Sequence, residues 1–299
     1  MMTSRNILNL TLLGIVSVLV LVVVFEPGKT PEKKKPSLTA LKKESISKID
    51  IKQSGNKNIQ FRKINHVWQM TSPYQLPANE YRISSILQLV EAKSYSQHDL
   101  TKLNKSNFKL DKPKVVVTFN DKVSVAFGSS EPLTHRRYVQ VGNTLHLIND
   151  TVYYHVSSKP TALVSLQLLP KNTAIKAIQL PDRKLELKDG RWQIEKEPKE
   201  MASDAVTQLL NNWKLAQALD VVAAKDKPGK QQIKLFVEGR DKPIIFSIVK
   251  RKPDFVLLRQ DKAVEYKLME DSAQGLLTLA KPEPVREKPL KDKTATHSK

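Results

Sequence analysis

The chain contains 299 residues, of which 40% are hydrophobic, and it carries a net charge of +20 at pH 7 with no cysteine. The lack of cysteine excludes disulfide bonds, thiolate zinc sites and cysteine nucleophiles. Basic residues exceed acidic ones along the whole chain, so the charge favours contact with anionic surfaces such as lipid head groups, cell-wall polymers or nucleic acid. It does not choose among them, and solubility alone is the simpler explanation.

A charge-free apolar run at residues 7–25 follows a short N-terminal tail, residues 1–6. As a helix this run is about 28 Å long, close to the hydrocarbon thickness of a bilayer. Glu26 and Pro27 come next and offer no small-x-small cleavage site, which favours an uncleaved anchor over a secretory signal. No second run of this kind occurs, so the sequence predicts one membrane-spanning helix.

Residues 26–45 combine prolines with lysines and lack apolar periodicity, so we expect an extended tether. More basic residues follow the apolar run than precede it. The positive-inside rule would therefore keep the body in the cytoplasm. Long domains are translocated largely regardless of charge, however, and the residues alone leave the orientation open.

Residues 46–170 are predicted to form a first folded module. Isoleucines begin a strand, a hairpin carrying Trp68 follows, and apolar residues at helical spacing predict a helix over residues 79–93 with Asn79 as its N-cap. A polar connection at residues 94–112 leads to four strands joined by brief turns and then to a short helix at residues 161–168. The strands are predicted at residues 115–119, 123–127, 138–141 and 145–148. Brief turns between consecutive strands require antiparallel pairing.

Residues 171–280 repeat this order and are predicted to form a second module. Trp68 and Trp192 are 124 residues apart, and the apolar stripes that begin at Ile83 and Val206 are 123 apart. Two landmarks with nearly the same offset indicate an internal duplication. The second module is predicted to end in a short helix at its C-terminal end, as the first does.

The resulting fold class is α+β: an N-terminal transmembrane helix followed by two tandem, duplicated modules, each an antiparallel sheet with a packed helix. The alternation of apolar and polar residues in the strands is typical of sheets with one solvated face. Residues 281–299 are charged, polar and rich in proline, and are predicted to be a disordered tail.

Four short motifs give the chain a family resemblance. They share an order along the first module and are residues 67–73 (VWQMTSP), 110–113 (LDKP), 127–128 (FG) and 138–141 (YVQV). With these motifs, residues 46–170 resemble the bacterial family known as domain of unknown function 4340. Lys109 stands where the resemblance leads us to expect glycine. The resemblance implies an envelope protein with one N-terminal anchor, encoded near transporter components, and so a periplasmic body.

Motifs that carry chemistry are missing from the sequence. There is no glycine-rich phosphate loop and no Gly-x-Ser-x-Gly motif. The histidines never adopt a His-x-x-x-His or His-Glu-x-x-His spacing. They are His66, His98, His135, His146, His155 and His297. His146 and His155 could meet in space, but two unrelated histidines are the simpler reading.

Two further groups are weak candidates for a site. Asp111 and Glu131 could pair for acid–base work, although solvated turn positions are the default for such carboxylates. Residues 135–138 (HRRY) join two cations to an aromatic ring, either as a binding spot or as a solvated strand edge that discourages pairing. We therefore predict no catalytic, cofactor-binding or metal-binding residues and no cofactor.

These observations favour a non-enzymatic, single-pass protein of the bacterial inner membrane whose body lies in the periplasm. The body would scaffold or bind a protein partner in the cell envelope, such as a transporter-associated complex, while residues 7–25 contact the lipid bilayer. One alternative is an enzyme that acts on an anionic envelope polymer. Another is a cytoplasm-facing basic protein that contacts anionic lipid or nucleic acid. Specific nucleic-acid binding is not expected, because aromatic residues are only 6% of the chain.

Overall fold

A computed structural model describes residues 4–25, 35–56, 58–195 and 203–279. The predicted disordered tail, residues 281–299, lies outside the described residues, and so do residues 26–34 of the predicted tether and residues 1–3 of the N-terminal tail. The helices are α1 (Ser4–Phe25), α2 (Glu80–Leu87), α3 (Tyr153–Val156), α4 (Ser203–Leu215) and α5 (Ser272–Leu277). Short 3₁₀ helices lie at Lys43–Ser45, Gln88–Glu91, Leu100–Lys102, Lys105–Phe108, Pro160–Leu163 and Gln260–Lys262.

The helix α1 is long and apolar enough to cross a membrane over Asn6–Phe25, and within the described ranges no other helix is. Its side chains from residue 6 onward are all exposed. The hydroxyls of Thr11 and Ser17 donate to the carbonyl oxygens of Ile7 and Leu13, four residues earlier, at 3.0 and 2.9 Å. Their hydrogen-bonding needs are therefore met inside the helix, as a hydrocarbon environment requires.

Nine antiparallel strands form the first sheet. Their bounds are β1 (Lys48–Gln53), β2 (Ile59–Ile64), β3 (Val67–Ser72), β4 (Leu76–Pro77), β5 (Ser96–Asp99), β6 (Val115–Phe119), β7 (Val123–Ser130), β8 (Arg137–Val141) and β9 (Thr144–Ile148). The spatial order is β4-β3-β2-β1-β6-β7-β8-β9-β5. Ile51, Val117 and Val125 lie side by side across β1, β6 and β7 and are fully buried. The predicted alternation thus gives this sheet one core-facing side.

Eight antiparallel strands form the second sheet. They are β10 (Ile175–Gln179), β11 (Lys184–Lys188), β12 (Arg191–Ile194), β13 (Asp220–Ala223), β14 (Gln232–Val237), β15 (Ile244–Lys250), β16 (Asp254–Arg259) and β17 (Val264–Met269). Their order is β12-β11-β10-β14-β15-β16-β17-β13. This is the order of the first sheet without a counterpart of β4. A shared strand order does not by itself show common ancestry, so the internal duplication stays a prediction.

The first helix is shorter than predicted. Asn79 caps α2, since its side-chain oxygen accepts from the backbone N–H of Arg82 at 3.1 Å, but the α-helix ends at Leu87 and tightens into a 3₁₀ turn. In the second module, where the sequence predicts helices at residues 202–215 and 272–279, α4 spans Ser203–Leu215 and α5 ends at Leu277. Apolar residues of both helices, including Ile83, Ile86 and Val206, belong to the buried core.

The predicted helix at residues 161–168 is wrong. A 3₁₀ turn occupies Pro160–Leu163, and the chain beyond it pairs through its backbone with other segments. The Leu168 N–H donates to the Ala216 carbonyl at 3.2 Å, and the Ala218 N–H donates to Leu166 at 2.8 Å. This connection is therefore an extended chain that joins the two modules and buries its own apolar residues. One continuous core cluster includes residues of both.

The end of the predicted tether lies against the first module. Leu38 is buried, and the backbone N–H groups of Leu38 and Thr39 donate to the carbonyls of Ala92 and Val90 at 2.8 and 3.1 Å. Burial of this leucine stabilises the contact. From residue 36 to residue 45 the structure therefore differs from the extended tether that the composition predicts.

Candidate functional site

A cleft of about 380 Å³ lies where the two modules meet. It is lined by the residues Val67, Gln69, Pro77, Ala78, Asn79, Glu80, Tyr81, Ser165, Leu166, Gln167, Pro170, Lys171 and Gln217. These come from three distant segments: the end of the Trp68 hairpin with the start of α2, the connection between modules, and the turn after α4. The cleft is in the size range of small-molecule and peptide sites.

Backbone hydrogen bonds hold the walls of this cleft. The Asn79 N–H donates to the Leu163 carbonyl at 2.8 Å, and the Ser165 N–H donates to the Pro77 carbonyl at 2.7 Å. On the other side, Gln167 and Gln217 form an isolated antiparallel bridge. Because these contacts are made by main-chain atoms, the relative positions of the cleft walls do not depend on hydrogen bonds from the lining side chains.

Three glutamine carboxamide groups are among the polar groups that line the cleft. The side chains of Gln69, Gln167 and Gln217 make no hydrogen bond to any other residue that the structure describes. Each carboxamide offers two N–H donors and an acceptor oxygen, the same groups that a peptide backbone displays. The cleft can therefore pair with the main chain of an extended segment or with another amide-rich ligand.

An ion pair and an exposed tyrosine mark the edge of the cleft. Lys171 Nζ lies 2.9 Å from a carboxylate oxygen of Glu80, and both side chains are mostly exposed. An exposed pair of this kind adds little to stability, so either side chain can bind a charged ligand instead at a small cost in free energy. The neighbouring Tyr81 is 72% exposed. The edge thus offers one negative charge, one positive charge and an aromatic ring.

His155 is fixed beside this edge by an arginine. Arg82 Nη1 lies 2.8 Å from His155 Nδ1, and the Tyr81 and Tyr154 rings contact the imidazole edge-on. A guanidinium group can only donate, so Nδ1 accepts and the ring is neutral. Burial and then the Arg82 charge lower the pKa of His155. This arrangement joins α2 to α3 and leaves no proton at Nδ1 for catalysis.

The structure does not bring His146 and His155 together. His146 is buried on β9, where its Nδ1 lies 3.0 Å from the Ser94 hydroxyl, and burial lowers its pKa. The two imidazoles have different partners. His66, His98 and His135 are exposed, and His297 lies outside the described residues.

Residues 135–138 do not form one binding spot. Arg136 turns to one side, and its guanidinium lies 3.6 Å from the centre of the Tyr95 ring. Arg137 binds Asp150 with two hydrogen bonds of 2.7 and 2.8 Å and donates to the Gly128 carbonyl. Arg137 therefore makes contacts within the fold, and of the two arginines only Arg136 can contact a ligand at the surface.

The carboxylates of Asp111 and Glu131 form no hydrogen bond or ion pair with each other in the ranges described. Asp111 is an exposed turn residue, as expected by default. Glu131 accepts hydrogen bonds from the Leu133 and Thr134 backbone at 3.1 and 2.7 Å and from the Thr134 hydroxyl. Among the described residues no group of three or more His, Asp or Glu side chains could hold a metal ion.

A comparison with protein families decides the relationship that the motifs suggest. Residues 68–234, more than half of the chain, match the family described as Domain of unknown function (DUF4340). The chain belongs to this family. The match reaches from β3 to β14 and includes all three carboxamides of the cleft, whereas the motifs in the sequence locate the DUF4340 resemblance best in the first module. Comparisons with curated proteins and with solved structures find no match.

The sequence analysis does not predict the cleft, although it singles out Asn79 as a helix cap and residues 67–73 as a family motif. Gln69, Gln167 and Gln217 are polar residues without periodic spacing, and only the three-dimensional contact between the modules collects them. The sequence offers one indirect signal. Pro73 and Pro170 each follow a segment that lines the cleft, and a proline marks the end of regular structure.

Proposed function

We propose that this protein is a non-enzymatic, single-pass membrane protein whose body binds an extended segment of a partner protein in the cleft between its modules. The observation that carries the proposal is the set of three carboxamides without a partner. Gln217 is exposed and Gln69 and Gln167 are half-buried, so these groups are open to solvent and can exchange water for a ligand. A peptide backbone satisfies them in alternate donor and acceptor positions.

The rest of the proposal concerns the membrane and the modules. The length and apolar character of α1 support insertion in a bilayer, and the family resemblance supports a periplasmic body and a partner such as a transporter-associated complex. The shared strand order of the two sheets supports an origin by duplication. The shared core favours a rigid body, and a rigid body is suited to holding one binding cleft open.

A photo-crosslinker placed at the edge of the cleft tests the binding proposal. We expect Gln217→p-benzoylphenylalanine in the full-length protein to give one dominant crosslinked envelope protein in intact cells, identified by mass spectrometry. The matched control is the same substitution at Lys242, an exposed position in the turn after β14. Equal products from Gln217 and Lys242 would contradict binding at the cleft, and so would the lack of a product both from Gln217 and from the same substitution at Tyr81, which lines the cleft and keeps all three carboxamides.

The side of the membrane is tested separately. A C-terminal alkaline phosphatase fusion is expected to be active and a green fluorescent protein fusion dark, because the phosphatase folds only in the periplasm. The reverse pattern would place the body in the cytoplasm and contradict this part of the proposal.

A further inference from the structure

A cationic and aromatic cluster lies where the chain enters the first module from the side of the anchor. Lys35 and Arg136 both lie over the Tyr95 ring, at 4.4 and 3.6 Å from its centre. The chain beside it is held in place, because the Ser94 N–H donates to the Pro36 carbonyl at 2.9 Å. We call Lys35, Tyr95 and Arg136 the Tyr95 cluster. A cation held over an aromatic ring keeps its charge, and the cluster lies at the surface, with Lys35 exposed and Arg136 half-buried.

The loop between β7 and β8 presents a leucine next to this cluster. Leu133 is 88% exposed, although the loop around it is ordered by hydrogen bonds. The Glu131 N–H donates to the Arg136 carbonyl at 2.6 Å, and the Glu131 carboxylate accepts from the backbone of Leu133 and Thr134. The bonds to Thr134 and Leu133 lower the pKa of Glu131, so the carboxylate stays ionised and keeps the loop closed. Leu133 therefore cannot turn inward without breaking several bonds.

The anchor keeps this face close to the membrane. Only residues 26–34 separate Phe25, the last residue of α1, from Lys35. Ten residue steps span at most about 36 Å. The Tyr95 cluster is thus within that distance of the end of the helix, whatever the path of the chain between them.

We propose that the Tyr95 cluster and Leu133 dock on the anionic lipid surface around α1. The two cations contact lipid head groups, and the rigid loop inserts Leu133 among the acyl chains. Charge and geometry favour lipid over a protein partner. The two cations outnumber the one nearby carboxylate, that of Glu131, which is hydrogen-bonded within its own loop, and Leu133 projects singly without a groove. The anchor supplies the bilayer at close range. This inference rests on the proposed insertion of α1, and it adds a defined orientation of the body.

A chain without cysteine permits a direct test. Pro132→Cys, next to Leu133 and exposed, carries an environment-sensitive fluorophore in the full-length protein, reconstituted in nanodiscs of phosphatidylcholine with phosphatidylglycerol and a nitroxide-labelled lipid. We expect quenching at position 132 several-fold stronger than at Lys242→Cys, and weaker quenching in phosphatidylcholine alone. Equal quenching at the two positions would overturn the docking proposal.

Charge reversal separates specific docking from general attraction. Lys35→Glu with Arg136→Glu is expected to reduce the quenching to the level seen in phosphatidylcholine. Lys227→Glu with Lys230→Glu changes the net charge equally, at exposed positions of the second module, and is expected to leave it unchanged. If both pairs act alike, the Tyr95 cluster is not the docking site. A protein that fails to enter the nanodiscs at all would contradict the anchor, whereas one that enters without quenching contradicts only the docking.

Discussion

The two modules share one order of strands but finish their helices differently. In the first module the helix tightens at Gln88, and the carbonyls of Val90 and Ala92 accept hydrogen bonds from residues 38 and 39. In the second module α4 continues to Leu215, and Trp213 takes the corresponding place. The Trp213 Nε1–H donates to the Leu276 carbonyl in α5 at 2.9 Å.

The difference shows how one sheet architecture is used for two tasks. The first helix is completed by the segment that leads to the membrane anchor, while the second is completed by a tryptophan and the C-terminal helix. The first module is therefore tied to the anchor through its core, and the second module is closed on itself. We expect the loss of the two closing contacts to lower the free energy of unfolding by different amounts, and mutations can therefore test the comparison.

The largest expected effect is that of Trp213→Ala. Trp213 is fully buried and packs on Phe246 with ring centres 5.6 Å apart, so its loss leaves a large cavity. We expect the free energy of unfolding to fall by about 3–5 kcal/mol. Urea denaturation of the full-length protein in detergent, followed by fluorescence and circular dichroism, measures this value.

Trp68→Ala is the matched control for that measurement. Trp68 is only half-buried on β3, so its removal should cost less than half as much. A larger loss for Trp68 than for Trp213 would mean that the Trp68 hairpin, and not the closing contact of α4, carries the stability of the body.

Apolar, β-branched strands are predictable here, and the polar edge strand β5 is not. Val115–Phe119 is apolar and rich in β-branched residues, alternates buried and half-buried side chains, and is found as predicted. Ser96–Asp99 carries no apolar residue, because β5 lies at the edge of the sheet and joins it through backbone bonds. Hydrophobic period cannot reveal a strand that buries no side chain. The cleft is hidden for a related reason, since its lining comes from segments that no local spacing connects.

A second comparison concerns one glycine in each module. It lies where the connection before the long strands passes close to the backbone of one of them. A Cβ added at Gly128 on β7 would lie 2.3 Å from the Phe108 carbonyl oxygen of the first connection. In the second module the roles are reversed: a Cβ at Gly229, in the connection, would lie 1.8 Å from the Ile248 carbonyl oxygen on β15. Both contacts involve backbone, which cannot move aside cheaply.

We expect Gly128→Ala and Gly229→Ala each to lower the free energy of unfolding by about 1–3 kcal/mol. Gly275→Ala is the control, because its Cβ would meet only the side-chain amide of Asn212, at 3.1 Å, which can shift further than backbone can, and α5 favours alanine. Differential scanning calorimetry of the three variants checks this expectation. A loss at Gly275 as large as at the other two would show that mobility of the backbone, and not collision, explains the glycines.

The smallest effect is expected at Lys109, where the family resemblance leads us to expect glycine. Lys109 follows the 3₁₀ helix Lys105–Phe108 and has φ 55° and ψ 38°, the left-handed conformation. The turn thus keeps the shape that glycine favours and strains the lysine. Lys109→Gly is expected to raise the free energy of unfolding by roughly 0.5–1 kcal/mol, since the relief of strain exceeds the added entropy of the unfolded chain.

Lys112→Gly removes the same charge from the same loop at a residue without positive φ, and it should instead lower stability. Urea unfolding distinguishes the two outcomes, and a change of the same sign in both variants would show that charge and not backbone conformation governs this turn.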